Sequence, residues 1–462
     1  MLEVIILGAG KGTRMRSTLP KVLHPLAGQP LLAHVIKTAR SLLPSAIHVV
    51  IGHGADAVRA AVKQDDVQFH IQAEQLGTGH AVAQALPHCD PTSQVLVLFG
   101  DVPLISADVL SHFLNETTMG CGLLAAELPD PQGYGRILRD DNANFKAVIE
   151  EKDCADNQRS IKEVNTGVIS APAAQLLDWL SRVTTDNAQG EFYLPDALGV
   201  ALVEGTQVRV VVTDDSLSTM GVNNRLQLEQ LERLYQQRLA EQLLLEGVAI
   251  SDRSRFDVRG TLTCGEGVVI DVNAVFEGDV VLEDNVRIGP NCFIRNAEIQ
   301  PNSTIHAFTH VEDTNIGANC SIGPYARLRP GTQLADGVKI GNFVETKNAV
   351  FALGSKANHL AYIGDAQIGS ASNVGAGTIT CNYDGARKHP TVIGDGVFVG
   401  SNSTLVAPVV IADRGFVAAG SVVTHDVDTA QLAVGRARQR NIDGWSAPSG
   451  GDSRKNTPKL ES

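Results

Sequence analysis

Two groups of residues have the types and spacing to do chemistry. The first is Gly8-Ala-Gly-Lys-Gly-Thr-Arg-Met15, which follows the aliphatic stretch Leu2–Leu7, together with Lys21 and with Gly100-Asp101 after a second stretch, Val95–Phe99. Glycines let backbone amides approach phosphate oxygens, and Lys11, Arg14 and Lys21 bring positive charge to the same place. The run is not a P-loop, because Gly-Lys-Thr/Ser is absent, and it is not GxGxxG; a bare glycine-rich turn after a strand also occurs for structural reasons alone. Asp101 at a strand end can hold Mg2+ against a triphosphate, or can simply cap a turn. The second group is Arg329, Glu345, Lys347, Lys356, Asn358, His359 and Tyr362, followed by Asn382-Tyr-Asp-Gly385 and Arg387-Lys388-His389. Acyl transfer to an amine needs a base near neutral pH, for which His359 is the natural choice, and Arg329, Lys347 and Lys388 are candidate cations for a sugar phosphate. A single loop histidine is equally at home as plain surface.

These residues must be held by two different architectures. In the first half, aliphatic runs at Leu2–Leu7, Ile47–Ile51 and Val95–Phe99 alternate with helix-like segments such as Leu31–Leu43 and His80–Ala85. That is the βαβ rhythm of a mostly parallel sheet, in which ligands bind beyond the carboxyl ends of the strands. The second half runs on a period of six. Ile316, Ile322, Leu328, Leu334 and Ile340 fall six apart, as do Ile393, Val399, Leu405, Ile411, Val417 and Val423. Small or β-branched residues such as Cys320, Ala326, Val397 and Ser403 sit four places after them, and glycine often comes next, as at Gly317, Gly341 and Gly400. No helix has that period. Three hexapeptides closing a triangular coil do, and stacked coils make a β-helix in which glycine would supply the turns. The period breaks between Val350 and Tyr362 and again from Ile379 to Thr391, and breaks in a solenoid are expected to be loops that carry function. Between the halves, Leu228, Leu231, Tyr235, Leu239 and Leu243 mark one long amphipathic helix, about 35 Å at 1.5 Å per residue, with Gly247 as its cap.

Bulk properties narrow the classes. With 462 residues and 43% hydrophobic content, the chain can build several cores, and a net charge of -13 argues against a general nucleic-acid binder. No apolar stretch is long enough for a membrane span, and Met1–Gly10 reads as a buried strand rather than a signal peptide. The seven cysteines show neither paired nor metal-like spacing, and Cys292 and Cys320 fall in the small-residue slot of the repeat. Free thiols without an export signal suggest the cytoplasm.

Leu7–Met15 with Leu19-Pro-Lys-Val22 resembles the signature of sugar-1-phosphate nucleotidyltransferases, and Gln75-Leu-Gly-Thr-Gly-His-Ala81, Gly100-Asp-Val-Pro-Leu104, Tyr134-Gly-Arg136, Val164-Asn-Thr-Gly167 and Gly221-Val-Asn-Asn224 follow in order. Gly341-Asn-Phe-Val-Glu-Thr-Lys347, Lys356-Ala-Asn-His-Leu-Ala-Tyr362, Asn373-Val-Gly-Ala-Gly377 and Thr380-Cys-Asn-Tyr-Asp-Gly385 look like an acetyltransferase site. From residue 2 to about residue 445 the chain resembles the bacterial bifunctional N-acetylglucosamine-1-phosphate uridylyltransferase / glucosamine-1-phosphate acetyltransferase family.

That resemblance implies an α/β Rossmann-like nucleotidyltransferase domain at 1–223, a linker helix at 224–247, a left-handed parallel β-helix acetyltransferase domain with a C-terminal arm at 248–445, and a disordered tail at 446–462. It places Leu7, Gly8, Ala9, Gly10, Gln72, Gly77 and Thr78 on the uracil and ribose of UTP, and Arg14 and Lys21 on phosphates. Phe99 and Gly100 adjoin Asp101, which with Asn223 would hold Mg2+, and Gly135, Glu150, Asn165 and Thr166 would bind N-acetylglucosamine-1-phosphate. The family often has Tyr where this chain has Phe99, so a hydroxyl is missing there. In the second half it makes His359 the general base, oriented or polarised by Glu345, with Arg329, Lys347, Tyr362, Asn373 and Lys388 on glucosamine-1-phosphate. Asn382 and Tyr383 would face the thioester, and Ala376, Ser401, Ala419 and Arg436 would contact acetyl-CoA. It further implies a homotrimer, with no nucleic-acid or membrane partner. The competing expectation is a monofunctional nucleotidyltransferase whose β-helix only assembles or regulates.

Overall fold

In the computed structural model the structure describes residues 1–62, 66–118 and 120–447, so the expected disordered tail lies, from residue 448 onward, outside the described residues. The chain divides into two compact units, Met1–Asp313 and Thr314–Ser462.

The first unit opens with strands β1 (Leu2–Gly8), β2 (Ala46–Ile51), β3 (Val67–Ile71), β4 (Gln94–Phe99), β5 (Cys121–Glu127), β6 (Arg136–Arg139), β7 (Phe145–Ile149), β8 (Glu163–Pro172) and β9 (Val208–Thr213). They form a sheet in the order β9-β5-β8-β4-β1-β2-β3, with β6 and β7 as an antiparallel flap on β8. Neighbours are parallel except β8, which runs antiparallel to both β4 and β5. Both faces are covered, so β1 and β4 are aliphatic throughout. Ile5, Val95 and Val97 pack on one face and Val4, Ile6, Leu96 and Leu98 on the other. Helix α1 (Leu31–Ser41) buries Leu31, Leu32, Val35, Ile36 and Ala39, one stripe at helical spacing. β1 and β4 lie side by side, Leu7 opposite Phe99, so the glycine loop and Asp101 leave the sheet at the same edge.

The connector is a helix, Arg225–Leu245, capped by the Asn224 side chain, which accepts the Gln227 N–H at 2.9 Å, and followed by Gly247 at φ 100°. Its buried stripe is Leu228, Leu231, Gln236, Ala240 and Leu243 rather than the all-apolar series expected. Gln236 donates to the Val258 carbonyl at 2.7 Å and accepts the Val258 N–H at 2.8 Å, so a buried amide acts as a strand partner for Phe256–Cys264. That strand lies in the first coil of this unit, after Ala249–Ile250, and pairs in parallel with Ala274–Leu282.

The second unit continues as parallel coils. Ser321 pairs with Lys339, Lys339 with Lys356, Lys356 with Asn373, and Phe398 with Phe416. The aliphatic residues of both six-residue series are buried, none more exposed than Leu334 at 5%. Two expectations are corrected. Residues 350–362 are not a loop. Thr346, Phe351, Ala357 and Ile363 fill successive inward slots, each 0% exposed, with one residue fewer between Thr346 and Phe351. Thr and Ala in aliphatic slots hid the period. The glycines after the aliphatic residues are also not turn residues as a class. A Cβ on Gly341 would lie 1.9 Å from the Asn358 carbonyl oxygen, and one on Gly400 would lie 2.4 Å from the Ala419 nitrogen. They are glycine because the next coil's backbone passes there; left-handed turns fall instead at residues such as Asn319, Asn402 and Gly377. The second break is a true excursion, a hairpin between Ile379–Cys381 and Thr391–Ile393 closed by a Tyr383–Lys388 bridge.

Candidate active sites

The glycine loop opens a cleft of about 720 Å3 at the carboxyl ends of β1 and β4. Leu7, Gly8, Ala9, Gly10, Arg14, Lys21, Gln72, Gly77, Thr78, Phe99, Asp101, Gly135, Glu150, Asn165, Thr166 and Asn223 all line it. Gly100 does not. It is buried beneath, donating its N–H to the Leu7 carbonyl at 2.9 Å. Gly12 sits at φ 59°, and a Cβ there would fall 2.6 Å from Lys21 Cβ, so only glycine lets the loop close over the lysine stem.

The charges in this cleft are interlocked. Lys21 bonds Asp101, with side-chain exposures of 16% and 13%, and its ammonium also lies 3.5 Å from Asn223 Oδ1. Arg14 donates to the same Asn223 oxygen at 2.8 Å. Asp101 and Asn223 thus point one carboxylate and one amide oxygen at a shared cation. An oxygen-only donor set with few protein ligands fits Mg2+, which keeps water and phosphate oxygens in its shell. Across the cleft, burial raises the Glu150 carboxyl above its ordinary range, reinforced by Asp196 and Asp153 and opposed by Arg136. The Thr166 hydroxyl donates to the Leu124 carbonyl at 2.7 Å. The Phe99 ring lies where a Cβ on Gly167 would need to be, 2.4 Å away.

Gln75 and Tyr134, quoted above only as parts of motifs, also line the cleft, as do Gln189, Glu191 and Tyr193, which sequence reasoning passed over. Gln189 donates to the Tyr193 hydroxyl at 2.8 Å and accepts from Lys152 at 2.9 Å. Their one signal was the polar and aromatic run Asn187-Ala-Gln-Gly-Glu-Phe-Tyr193, in a segment with no period.

The second site lies on the coils. Coil register sets Arg327 beside Glu345 and Lys347 beside Gly364, so Arg329 and Lys347 occupy successive levels of one column. Lys388 reaches the same column from the hairpin and, as a bonded neighbour, holds Lys347 below the ordinary lysine range, with burial and Arg329 adding to it. Gathered like charges of this kind favour a bound anion. Asp365 balances them and bonds Asn348 and Asn382. Gly364 leaves room for Tyr362, whose hydroxyl would stand 2.4 Å from a Cβ there. His359 is exposed and ends the strand Lys356–His359, and its Nδ1 meets Asn342 Oδ1 at 2.9 Å. Because an amide oxygen only accepts, this bond puts the proton on Nδ1 and leaves the Nε2 lone pair outward. Glu345 was expected to orient the histidine. It is instead bonded by Arg329 at 2.8 Å, and Asn342 holds the ring.

Asn373 pairs with Lys356 on the coil next to His359, Asn382 is buried at the hairpin base, and Tyr383 stands exposed with its hydroxyl donating to the Gly385 carbonyl at 2.6 Å. Ala376, Ser401 and Ala419 form a column of small residues: the Asn402 N–H donates to the Ala376 carbonyl and the Gly420 N–H to the Ser401 carbonyl. Arg436 reaches the last of them, donating to the Ala419 carbonyl at 2.5 Å.

A cleft of this kind on a mostly parallel sheet, with an exposed histidine and a column of cations on hexapeptide coils, defines a two-site transferase: a nucleotidyltransferase fold joined to a left-handed β-helix acyltransferase. Family models agree with that division. A MobA-like NTP transferase domain matches residues 4–143, a GMPPB C-terminal domain 258–344, and the bacterial transferase hexapeptide (six repeats) 390–425. The chain is 55% identical to "Bifunctional protein GlmU" of Burkholderia vietnamiensis (strain G4 / LMG 22486), over 97% of this chain and 99% of the relative. It is 55% identical to the protein of that name from Cellvibrio japonicus (strain Ueda107) and 52% identical to that from Stutzerimonas stutzeri (strain A1501), with the same coverage. The chain belongs to the bifunctional GlmU family. Among the described residues no helix is long and apolar enough to cross a membrane.

Proposed function

We propose that the two sites run two consecutive reactions in the formation of UDP-N-acetylglucosamine in the cytoplasm: acetyl transfer from acetyl-CoA to glucosamine-1-phosphate at His359, then uridylyl transfer from UTP to N-acetylglucosamine-1-phosphate at the glycine loop. The first reaction belongs to residues 248–445, the second to 1–223, and the helix of 224–247 joins them. The working assembly is a homotrimer.

At the coil site Arg329, Lys347 and Lys388 hold the sugar phosphate, with Tyr362 and Asn373 beside it. His359 Nε2 takes a proton from the sugar ammonium, the freed amine attacks the thioester carbon, the N–C bond forms, and the C–S bond breaks to release CoA, whose sulfur takes up the proton that the nitrogen loses as the amide forms. Asn382 and Tyr383 face the thioester, and Ala376, Ser401, Ala419 and Arg436 seat the CoA. At the cleft Leu7–Gly10, Gln72, Gly77 and Thr78 seat the nucleoside, and Gly135, Glu150, Asn165 and Thr166 the sugar. A phosphate oxygen of the sugar attacks the α-phosphorus of UTP and pyrophosphate leaves, with Arg14 and Lys21 stabilising the negative charge. Mg2+ held by Asp101 and Asn223 neutralises triphosphate charge when bound. Lys21 exchanges its contact with Asp101 for phosphate as substrate enters. The observation that carries the second activity is the His359–Asn342 bond, which leaves Nε2 as the free imidazole nitrogen of an exposed histidine; a mere scaffold gains nothing from it. The test is CoA release from acetyl-CoA and glucosamine-1-phosphate, for wild type and His359→Ala, with uridylyl transfer run in parallel. Loss of CoA release alone supports the assignment. A wild type that forms UDP-N-acetylglucosamine and releases no CoA makes the β-helix a scaffold.

A further inference from the structure

The amino end of the N-terminal sheet, opposite the glycine loop, holds a second cluster of metal-binding side chains. Glu3 on β1 and His48 on β2 project from the sheet toward Cys89, which follows the turn Leu86–His88. Their donor atoms all lie within 4.8 Å of one another, and among the described residues this is the one such group of three. Glu3 is 5% exposed, His48 0% and Cys89 8%. We propose that Glu3, His48 and Cys89 bind a transition-metal ion of the zinc class, with His70 as the positioning residue behind them.

Three features support a site rather than incidental packing. The donors are already aimed: Glu3 Oε2 and His48 Nε2 are 3.1 Å apart, close to the separation of two ligands around one tetrahedral ion. Each is held from behind, since Glu3 Oε1 accepts the Asp90 N–H at 3.0 Å and His48 Nδ1 meets His70 Nε2 at 2.9 Å. A partner on the second ring nitrogen is the arrangement that orients a metal-bound histidine. The third feature is access. The His70 ring stacks on His88 at 4.6 Å, and His88 is exposed, so a column of imidazoles leads inward from solvent. The carboxylate, imidazole and thiol sit beside the aliphatic packing of Ile5, Val50 and Val95, already bonded in place, with the Cys89 thiol 3.7 Å from the Ala85 carbonyl. Sulfur and nitrogen donors select zinc-class ions over the Mg2+ that suits Asp101 and Asn223. On binding, the Cys89 thiol proton leaves to solvent, the His48 proton moves from Nε2 to Nδ1 and donates to His70 Nε2, the His70 proton moves from Nε2 to Nδ1, and metal–sulfur, metal–nitrogen and metal–oxygen bonds form.

The test uses full-length protein stripped with chelator and reloaded with Zn2+, and with Co2+ as a spectroscopic probe. Wild type is expected to retain one equivalent of Zn2+ per chain through desalting and to show the thiolate-to-cobalt charge-transfer band. Cys89→Ala should lose both while keeping uridylyl transfer, which reports that it has folded. His70→Gln should weaken Zn2+ binding by about 10- to 100-fold. Equal retention by wild type and Cys89→Ala overturns the proposal. So does a cobalt spectrum without the thiolate band, which would place the metal elsewhere, and so does wild type that retains no Zn2+.

Discussion

At the glycine loop the working charges are enclosed. Lys21 and Asp101 are 16% and 13% exposed, and the walls around them come from many strand ends of one sheet. On the coils the corresponding pair, Arg329 and Glu345, is 34% and 35% exposed, and His359, Tyr383 and Arg436 stand in solvent. The difference follows from architecture. A twisted sheet with loops at one edge curls into a cleft within a single chain, whereas a β-helix offers a flat face whose residues repeat from coil to coil. A flat face binds an anion by stacking cations level upon level.

The largest expected effect tests whether the open face is catalytic at all. His359→Ala should lower CoA release by about 10^2- to 10^4-fold, the usual contribution of a general base, and leave uridylyl transfer unchanged. The mirror experiment is Lys21→Ala. Removing a fixed cation from an enclosed site should lower uridylyl transfer by about 10^2- to 10^3-fold while acetyl transfer persists. If either variant impairs both reactions equally in the folded protein, the two regions are not independent, and the comparison fails.

A smaller effect sharpens the picture of the open face. Asn342→Ala removes one hydrogen bond of about 1 kcal/mol and should lower acetyl transfer by about 3- to 10-fold. A purely structural role would leave the pH profile of the remaining activity in place. Asn342→Asp instead sets a carboxylate against the ring, favours the charged imidazole, and should move the acidic limb of the pH–rate curve to higher pH.

Much of this was legible in the sequence, for physical reasons. A period of six has no helical reading, and an aliphatic strand that ends in glycines and a lysine advertises an edge where backbone amides are bare. The hidden parts share one property: they depend on register rather than type. Asn342 looks like any polar turn residue until the coil pairing sets it beside His359. Thr346 and Ala357 interrupt the aliphatic series, although both point into the core. Gln236 reads as a surface residue on a charged helix and is in fact 1% exposed, bound to a strand backbone. Gln189 and Tyr193 come from a segment with no period at all.

The smallest predicted effect separates the two regions by stability rather than rate. Burial raises the Glu150 carboxyl in the cleft from its ordinary 4.5. The folded protein therefore holds that proton to higher pH than the unfolded chain does. The favourable contribution is complete below the unfolded value and is lost as pH rises through the folded one. Above the raised folded value wild type carries a desolvated carboxylate, and Glu150→Gln removes that charge without changing the shape. The variant should melt roughly 1–3 °C higher than wild type at pH 7.5, the scale of about 1 kcal/mol or less in a chain of this size, and the gain should vanish toward pH 4. Uridylyl transfer should fall at the same time. Glu345→Gln is the control on the open face. Its carboxylate is solvated and paired with Arg329, a bond worth about 0–1 kcal/mol, so that variant should melt at or slightly below wild type. A gain in both variants, or in neither, would mean that enclosure is not what distinguishes the two sites.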